Sequence, residues 1–343
     1  MDRYAAELAA RLRVVVPAAA RELGGPRYLA RYVRYPRALR AEPPVDLVHV
    51  VDHSYAHCLA AFPGAPSVLT VHDLYPLRVL REHGGGLRAA VRNSLLRRTM
   101  RWVRHADRLV TVSHAVAGEI PGLLGVPADR VRVAPNGVAA AFFVTPPPET
   151  TADLRRAWLS GADPGGARIL LHVGLCTPRK RVELAIAALA ELRRRGTDAR
   201  LVQIGGRFTP EHRAAIAAAG LVETVRQDPA VSEAALVAAY HAADALIMPS
   251  ADEGFGLPVL EALAAGLAVV TSGAGGLREA GGAAALVAGA DTPAGYADAL
   301  LEAWSDPDRA GRAERGRAHA RAHSWDRTAG LVREVYAELG VSA

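Results

Sequence analysis

Two carboxylates on either side of a glycine loop are the first feature of this sequence that could do chemistry. Glu253 precedes the loop, and Glu261 follows it eight residues later. A carboxylate accepts hydrogen bonds from hydroxyl groups, which sugars present in pairs. Pro258 suits the first turn of a helix, so we expect a helix to begin here with Glu261 in its first turn. A structural role is the alternative for Glu261, because an acidic side chain near a helix start complements the dipole.

The loop between the two carboxylates predicts a binding site for a diphosphate. Its glycines permit a tight bend and a close approach of the backbone to a ligand. At a helix N-terminus the backbone N–H groups and the positive end of the dipole both favour an anion. The residues whose backbone we expect around the diphosphate are Gly254, Phe255, Gly256 and Leu257.

A second group of candidate phosphate ligands follows a predicted strand that ends at Gly174. Arg179, Lys180 and Arg181 form a cationic run just before a predicted helix. Cations at a helix start oppose the helix dipole, and a bound anion would resolve that conflict. The other interpretation is a solvated basic turn, which is the usual role of a charge run. Gly205, after another predicted strand, is a weaker glycine signal.

His72 and Asp73 come directly after a predicted buried strand in the first half of the chain. A side chain at the carboxyl end of a parallel strand points to the crevice where α/β folds bind ligands. The alternative for His72 is a structural histidine whose ring nitrogens are satisfied by hydrogen bonds. Residues 52–55 end the preceding strand and are candidates for an acceptor side.

The elements that must position these residues alternate along the chain. Short apolar runs are followed by helical patterns, which predicts an α/β fold with parallel sheets. A chain of 343 residues exceeds the usual size of one core, so two domains are expected. The proline-rich segment 145–151 cannot join a sheet interior and is the predicted linker. The predicted strands are 13–16, 47–51, 67–71, 108–112, 130–134, 169–174, 200–204, 245–249, 268–271 and 284–287.

The spacing from Glu253 to Glu261 resembles the E-x7-E signature of retaining GT-B glycosyltransferases of family 4. The flanking strands and the Pro-Arg-Lys run agree with that pattern, and the resemblance extends from the first residues to about residue 339. It implies a GT-B architecture, in which two Rossmann-like domains have parallel sheets that face a central cleft.

The resemblance also implies roles for the candidate residues. Arg179 and Lys180 would neutralise the diphosphate, and Gly174 and Gly205 would line the nucleotide site. His72 would lie against the donor hexose and stabilise the transition state, with Asp73 orienting it. The commonest family pattern has an arginine where this chain has Leu175, so Arg179 is the candidate for the second cation.

The predicted domains follow from the same resemblance. Residues 1–144 form the acceptor-side domain, 145–164 the linker, 165–317 the nucleotide-sugar domain and 318–343 a C-terminal helix that packs back toward the first domain. The first residues resemble the family's first helix, which normally follows a strand and a Gly-Gly loop. We therefore expect the first domain to lack its first strand.

The activity that the resemblance implies is transfer of a hexose with retention at the anomeric carbon. The donor would be GDP-mannose or a UDP-hexose, and the acceptor a hydroxyl of a glycan, a lipid-linked saccharide or a secondary metabolite. No cofactor and no metal are expected. Two alternatives remain: a non-catalytic or truncated homologue that acts as a partner subunit, and an epimerase of the nucleotide sugar.

Charge and cysteine content bear on partners and location. The formal net charge is +6, and residues 1–40 and 78–108 are rich in arginine. A basic helix in the second stretch suits contact with an anionic membrane surface, and a solvated face would look similar. No nucleic-acid-binding module is recognisable. Two cysteines without a disulfide framework, and no secretory signal or long apolar run, favour a cytoplasmic protein that is either free or peripheral at the membrane.

Overall fold

The computed structural model describes residues 2–12, 30–82, 86–159 and 166–342. It divides into two compact units. Unit 2 is the continuous segment Val138–Ser324, and unit 1 comprises the chain before and after that segment. The predicted strand 13–16 falls outside the described residues.

Unit 1 is built on a parallel sheet whose strand order is β1-β2-β3-β4. Its second strand is buried along its whole length, as expected for a strand that is covered on both faces. The core to which it contributes includes Leu69, Leu109 and Ile120, all fully buried. The strands are β1 Val48–Val50, β2 Ser67–Val71, β3 Arg108–Thr111 and β4 Val131–Val133.

Unit 2 has a parallel sheet of six strands in the order β10-β9-β8-β5-β6-β7. The order reverses between β5 and β8, which are hydrogen-bonded neighbours. Open α/β sheets bind ligands outside the carboxyl ends of the strands at such a point. The strands are β5 Arg168–Val173, β6 Ala199–Ile204, β7 Val225–Asp228, β8 Ala245–Met248, β9 Val269–Thr271 and β10 Leu286–Val287.

Helices connect the strands in both units, as βα crossovers require. None of those in the described ranges has the length and apolar character needed to cross a membrane. In chain order the α-helices are α1 Asp2–Arg11, α2 Tyr35–Leu39, α3 Tyr75–Glu82, α4 Gly86–Val103, α5 His114–Leu124, α6 Pro148–Trp158, α7 Val182–Arg194, α8 Pro210–Ala218, α9 Glu233–Ala242, α10 Leu257–Ala265, α11 Leu277–Gly281, α12 Pro293–Ser305, α13 Arg309–Arg321 and α14 Trp325–Glu338.

The predicted strands that fall on described residues are confirmed, with ends that agree within two residues. The strand β7 was not predicted, because its sequence Val-Arg-Gln-Asp has no apolar run. It lies at the edge of the sheet with alternate side chains exposed. A half-exposed edge strand therefore escapes a search for buried strands.

Two elements differ from the predicted organisation around the linker and the C-terminus. Helix α6 lies within the segment 145–164 that was predicted as linker. The predicted C-terminal helix over 318–343 begins later than expected, because α13 ends at Arg321 and α14 begins at Trp325. The chain leaves the helical path at His323, whose carbonyl accepts a hydrogen bond from Val138 N at 2.9 Å, and Ser324 pairs with Val138 as an isolated bridge.

Helix α14 belongs to unit 1, where side chains at both of its ends hold it. Arg11 Nε of α1 donates to Asp326 Oδ1 at 2.6 Å. At the other end Glu338 accepts hydrogen bonds from Arg108 and Arg132 at 2.7–2.9 Å. The helix therefore ties the first helix of the chain to strands β3 and β4.

Candidate functional site

The glycine loop of unit 2 delivers Glu253 from the end of β8 to the start of α10. Helix α10 begins at Leu257 with Pro258 in its first turn, as predicted, and Gly256 at the N-cap has a φ of 114°. That backbone conformation favours glycine. Phe255 is only 3% exposed, so its side chain anchors the loop from within unit 2.

The side chain of Glu253 lies between two cations. Lys180 Nζ donates a hydrogen bond to Glu253 Oε1, and Arg179 Nη1 is 3.6 Å from Glu253 Oε2. Ser250 Oγ also donates to Glu253 Oε1, at 2.8 Å. Glu253 is 6% exposed, and a buried carboxylate needs such partners to remain charged. The structure thus brings together the two groups that the sequence singled out separately.

The basic turn reaches Glu253 because β5 and β8 are neighbours at the reversal of strand order. Residues Pro178–Lys180 form a short 3-10 turn after β5. Ala251 N donates to Arg179 O at 2.8 Å, which joins this turn to the loop that follows β8. Leu175, where the family's commonest pattern has arginine, is 62% exposed.

Lys180 is the only lysine in the chain; the other 40 of its 41 basic residues are arginines. A lysine ammonium is a compact point charge, whereas a guanidinium is a wide planar fork. The one compact ammonium among the side chains of this chain therefore lies at Glu253. That compositional signal was available from the sequence alone.

Gln203 connects the two predicted nucleotide-site glycines, and the sequence analysis missed it. Its side-chain amide donates to Gly174 O at 2.6 Å and to Gly205 O at 3.0 Å. Gln203 is fully buried on β6. The signal was a lone amide between the apolar residues Val202 and Ile204 of a predicted strand, since buried polar groups need specific partners.

Close backbone approaches around the acidic loop also require glycine in the loop that follows β9. A Cβ atom on Gly276 would lie 2.4 Å from Gly254 O, which is far inside contact distance. Gly276 N donates instead to Glu253 O at 2.8 Å. The loop after β9 thereby supports the backbone of the candidate diphosphate loop.

Glu261 lies deeper in helix α10 than predicted. It is the fifth helical residue and therefore falls in the second turn, where complementation of the dipole is weak. It is 4% exposed, and its Oε2 accepts a hydrogen bond from Tyr240 Oη at 2.8 Å. Tyr240 comes from helix α9, and nothing in the spacing of the sequence pointed to it.

In unit 1, His72 follows β2, and its ring is held by neutral groups. His72 Nε2 donates to Val51 O at 2.8 Å, so the other ring nitrogen of the neutral imidazole is an acceptor. Tyr4 packs edge-on against the ring at a centroid distance of 4.8 Å. Burial lowers the pKa of His72 to about 4. The imidazole is thus uncharged at neutral pH.

The histidines near His72 are also held in their uncharged form. His49 on β1 contacts Tyr336 Oη at 2.6 Å and Thr70 Oγ1 at 2.8 Å, and burial lowers the pKa of His49 to about 3. Burial also lowers the pKa of His53, against the opposing effect of Asp52 and Asp73. Asp73 therefore acts electrostatically on His53, and the backbone of Val51 orients the His72 ring.

Comparison with known proteins gives two matches to family models. Residues 167–306 match the model described as Glycosyl transferases group 1. Residues 2–142 match the model described as Glycosyltransferase Family 4. Each model covers the larger part of one unit.

Curated relatives extend over most of the chain. A D-inositol 3-phosphate glycosyltransferase from Thermobispora bispora is 35% identical over an alignment 290 residues long, which covers 80% of this chain and 65% of that protein. One from Arthrobacter sp. strain FB24 is 33% identical and covers 85% of this chain and 70% of its own length. The chain therefore spans about two thirds of the length of these relatives.

Among solved structures, HepE from Anabaena in complex with UDP-glucose superimposes with a TM-score of 0.72 at 20% identity. The match covers 85% of this chain and 79% of HepE. At this identity the likeness concerns the fold, with two parallel-sheet units of the GT-B type.

Proposed function

Because this chain belongs to glycosyltransferase family 4, we propose that it is a retaining hexosyltransferase that uses a nucleoside-diphosphate sugar. The observation that carries the proposal is the position of Glu253 between Lys180 and Arg179 at the reversal of strand order in unit 2. Cations beside a helix N-terminus suit the diphosphate of such a donor.

The proposed reaction breaks the bond between the anomeric carbon and the diphosphate oxygen. The acceptor oxygen forms its bond on the same face of the sugar, and its proton passes to the leaving phosphate. Negative charge grows on the diphosphate as the bond breaks. Lys180, Arg179 and the backbone amides at the start of α10 would stabilise that charge, and preorganised groups of this kind supply much of the rate enhancement of enzymes.

The remaining site residues take positioning roles in this proposal. Glu253 and Glu261 would accept hydrogen bonds from hydroxyls of the hexose and the ribose. Gly174 and Gly205, joined by Gln203, would admit the nucleotide close to the backbone. His72 would act as a neutral hydrogen-bonding group in the transfer step. We propose that no metal takes part, since the two cations already supply the charge that a metal ion would bring.

The proposed donors are GDP-mannose and the UDP-hexoses. HepE was solved with UDP-glucose, which places UDP-glucose first among the donors to test. The proposed acceptor is a hydroxyl of a glycan, a lipid-linked saccharide or a secondary metabolite. The names of the relatives add inositol 3-phosphate to the acceptors to be tested.

Contact with a membrane surface is proposed for helix α4. Arg97, Arg98 and Arg101 are exposed on it, next to the partly exposed Trp102. Such a surface suits anionic lipid headgroups. Sedimentation with vesicles that contain anionic lipid, compared with neutral vesicles, tests this proposal. Apolar residues on the other face of a basic helix would contact the acyl chains, and the side chains of the candidates Leu87 and Val91 lie outside the described part of the chain.

The first experiment is calorimetric titration with UDP, GDP and their common sugar conjugates. Micromolar binding of one nucleotide is expected, with hydrolysis or transfer of its sugar in the presence of EDTA. Absence of binding by every nucleotide would contradict the proposal and favour a non-catalytic partner subunit. A changed donor sugar without any acceptor would instead indicate an epimerase.

A further inference from the structure

Arg181, directly after the basic turn, has an unusual backbone conformation. Its φ is 51°, and among the described residues it is the one non-glycine residue with a positive φ. Side chains other than glycine rarely adopt this conformation, and such outliers persist where surrounding contacts enforce them. The position is also the joint between the turn that carries Lys180 and the first residue of α7.

The side chain of Arg181 is held by Asp291, which lies just before helix α12. Arg181 binds Asp291 with both terminal nitrogens, and the bond from Nη1 to Oδ2 is 2.8 Å long. Paired hydrogen bonds of this type fix the orientation of a guanidinium. The hydrogen bonds from Arg181 hold the pKa of Asp291 below its usual value, so both groups are charged at neutral pH.

Tyr296 connects this ion pair to the interior of unit 2. Tyr296 Oη donates to Asp291 Oδ1 at 3.2 Å, and its side chain is fully buried on α12. The side chain of Ser272 lies beside Tyr296 Oη. Ser272 Oγ in turn donates to the carbonyl oxygen of Ser250 at 2.6 Å.

Ser250 completes the path to the candidate active site, because its hydroxyl donates to Glu253. The chain of contacts therefore begins at the residue after Lys180 and ends at the carboxylate that Lys180 binds. None of the proposed catalytic roles uses Arg181, Asp291 or Tyr296.

We propose that Arg181, Asp291 and Tyr296 form a clasp that holds the basic turn in the geometry that receives the donor diphosphate. Arg181 is then a positioning residue, and its charge is not directed at the donor. This inference rests on the proposed function and adds the residues that set donor affinity from outside the site.

Neutralising Asp291 distinguishes two roles for Arg181, because positioning of the turn and long-range charge predict opposite changes in affinity for the diphosphate. The variant Asp291→Asn frees Arg181 from its counter-ion and raises the positive charge beside the site. If Arg181 acted only through its charge, the diphosphate would bind more tightly. If the clasp positions the turn, binding weakens, by about tenfold because small displacements of binding groups are costly.

Two variants of Arg181 complete the set. Arg181→Lys keeps the charge but loses the bidentate contact with Asp291, and we expect a similar loss of nucleotide affinity. Arg181→Gly removes the backbone conflict as well as the clasp. Its thermal unfolding midpoint should not fall, yet its affinity should fall about as far as that of Asp291→Asn.

Asp298→Asn is the matched control. Asp298 on α12 accepts a hydrogen bond from Arg195 at the far end of α7, at 2.5 Å, so this ion pair joins the same two helices away from the site. We expect nucleotide affinity in Asp298→Asn to equal that of the natural chain.

The measurement is calorimetric binding of UDP and of GDP to each full-length variant, with the donor KM and kcat of the transfer reaction. A higher donor KM with a smaller change in kcat supports the clasp. Tighter binding by Asp291→Asn, or unchanged binding by all three clasp variants, overturns it while leaving the proposed function intact. Failure of the natural chain to bind either nucleotide overturns both.

Discussion

The two units present opposite kinds of candidate site at the ends of their strands. In unit 2, charged groups face each other, with Glu253 between Lys180 and Arg179. In unit 1, His72 and His49 are held uncharged by burial, and their partners are a backbone carbonyl and hydroxyl groups. The two sites differ in whether an opposite charge is present, because a buried charge is tolerated only where an opposite charge accompanies it.

This contrast suggests that each unit binds a different part of the reacting molecules. A diphosphate carries charge through the whole reaction and needs fixed cations. A sugar hydroxyl is neutral and is better served by a neutral imidazole and hydroxyl groups. Variants in the two units should therefore affect different measured quantities.

Lys180→Ala should have the largest effect. It removes the compact cation and leaves Glu253 with Arg179 as its remaining cationic partner. We expect kcat/KM for the donor to fall about 10²–10³-fold, or about 3–4 kcal/mol of transition-state stabilisation. Steady-state kinetics and UDP calorimetry check this.

Lys180→Arg is the matched control, since it keeps the charge and changes its shape. A loss close to that of Lys180→Ala would show that the compact ammonium matters. Full activity in Lys180→Ala would remove the charged site of unit 2 from the mechanism.

His72→Asn should affect transfer and spare nucleotide binding. Asparagine retains an amide donor that can reach toward Val51 O, so the fold should be preserved. We expect kcat to fall about tenfold to a hundredfold, or about 1.4–2.7 kcal/mol, while the Kd for UDP stays unchanged. A rise in the Kd for UDP as large as the fall in kcat would contradict the proposed difference between the two units.

The stability of unit 1 should depend on pH in the range set by its histidines. An unfolded histidine has a pKa near 6.5, whereas His72 and His49 have folded pKa values of about 4 and about 3. Their contribution is complete above pH ~6.5 and is lost as the pH falls toward the folded values. At pH 5 each should contribute up to roughly 2 kcal/mol less than at pH 7.

Calorimetric unfolding at pH 7 and pH 5 tests this expectation. The His72→Asn variant should lose less stability between the two pH values than the natural chain does. Equal losses in both proteins would mean that His72 is not shielded from solvent as the structure shows.

Tyr240→Phe should have the smallest effect. It removes the hydrogen bond that orients Glu261 and retains the aromatic packing of Tyr240 against Phe142, at a centroid distance of 5.7 Å. We expect the Kd for the nucleotide to rise about fivefold, or about 1 kcal/mol. The affinity for the nucleoside monophosphate should fall by the same factor, because the change concerns the ribose end of the donor. A selective loss for the diphosphate would assign Tyr240 to the charged site instead.

The sequence predicted the parts of unit 2 that depend on local patterns. Apolar runs located its buried strands, and the glycines with Pro258 located the start of α10, because turn and helix-start signals are local. The strand order then brought Lys180 to Glu253. Their pairing required knowledge that β5 and β8 are neighbours.

The residues that were missed owe their roles to tertiary contacts. Tyr240 is 21 positions from Glu261, and Gln203 is 29 positions from Gly174. No periodic pattern connects such pairs. The break between α13 and α14 was missed for the same reason, since Val138, far away in the chain, supplies the contact at His323.

The single lysine gives this protein a built-in chemical reporter. Reagents that modify primary amines have one side-chain target in the chain, Lys180. Reductive methylation with carbon-13 formaldehyde should therefore yield one side-chain resonance besides that of the amino terminus. Because Lys180 is 12% exposed and bound to Glu253, the labelling rate measures how often that ion pair opens, and each candidate ligand can be ranked by the protection it confers.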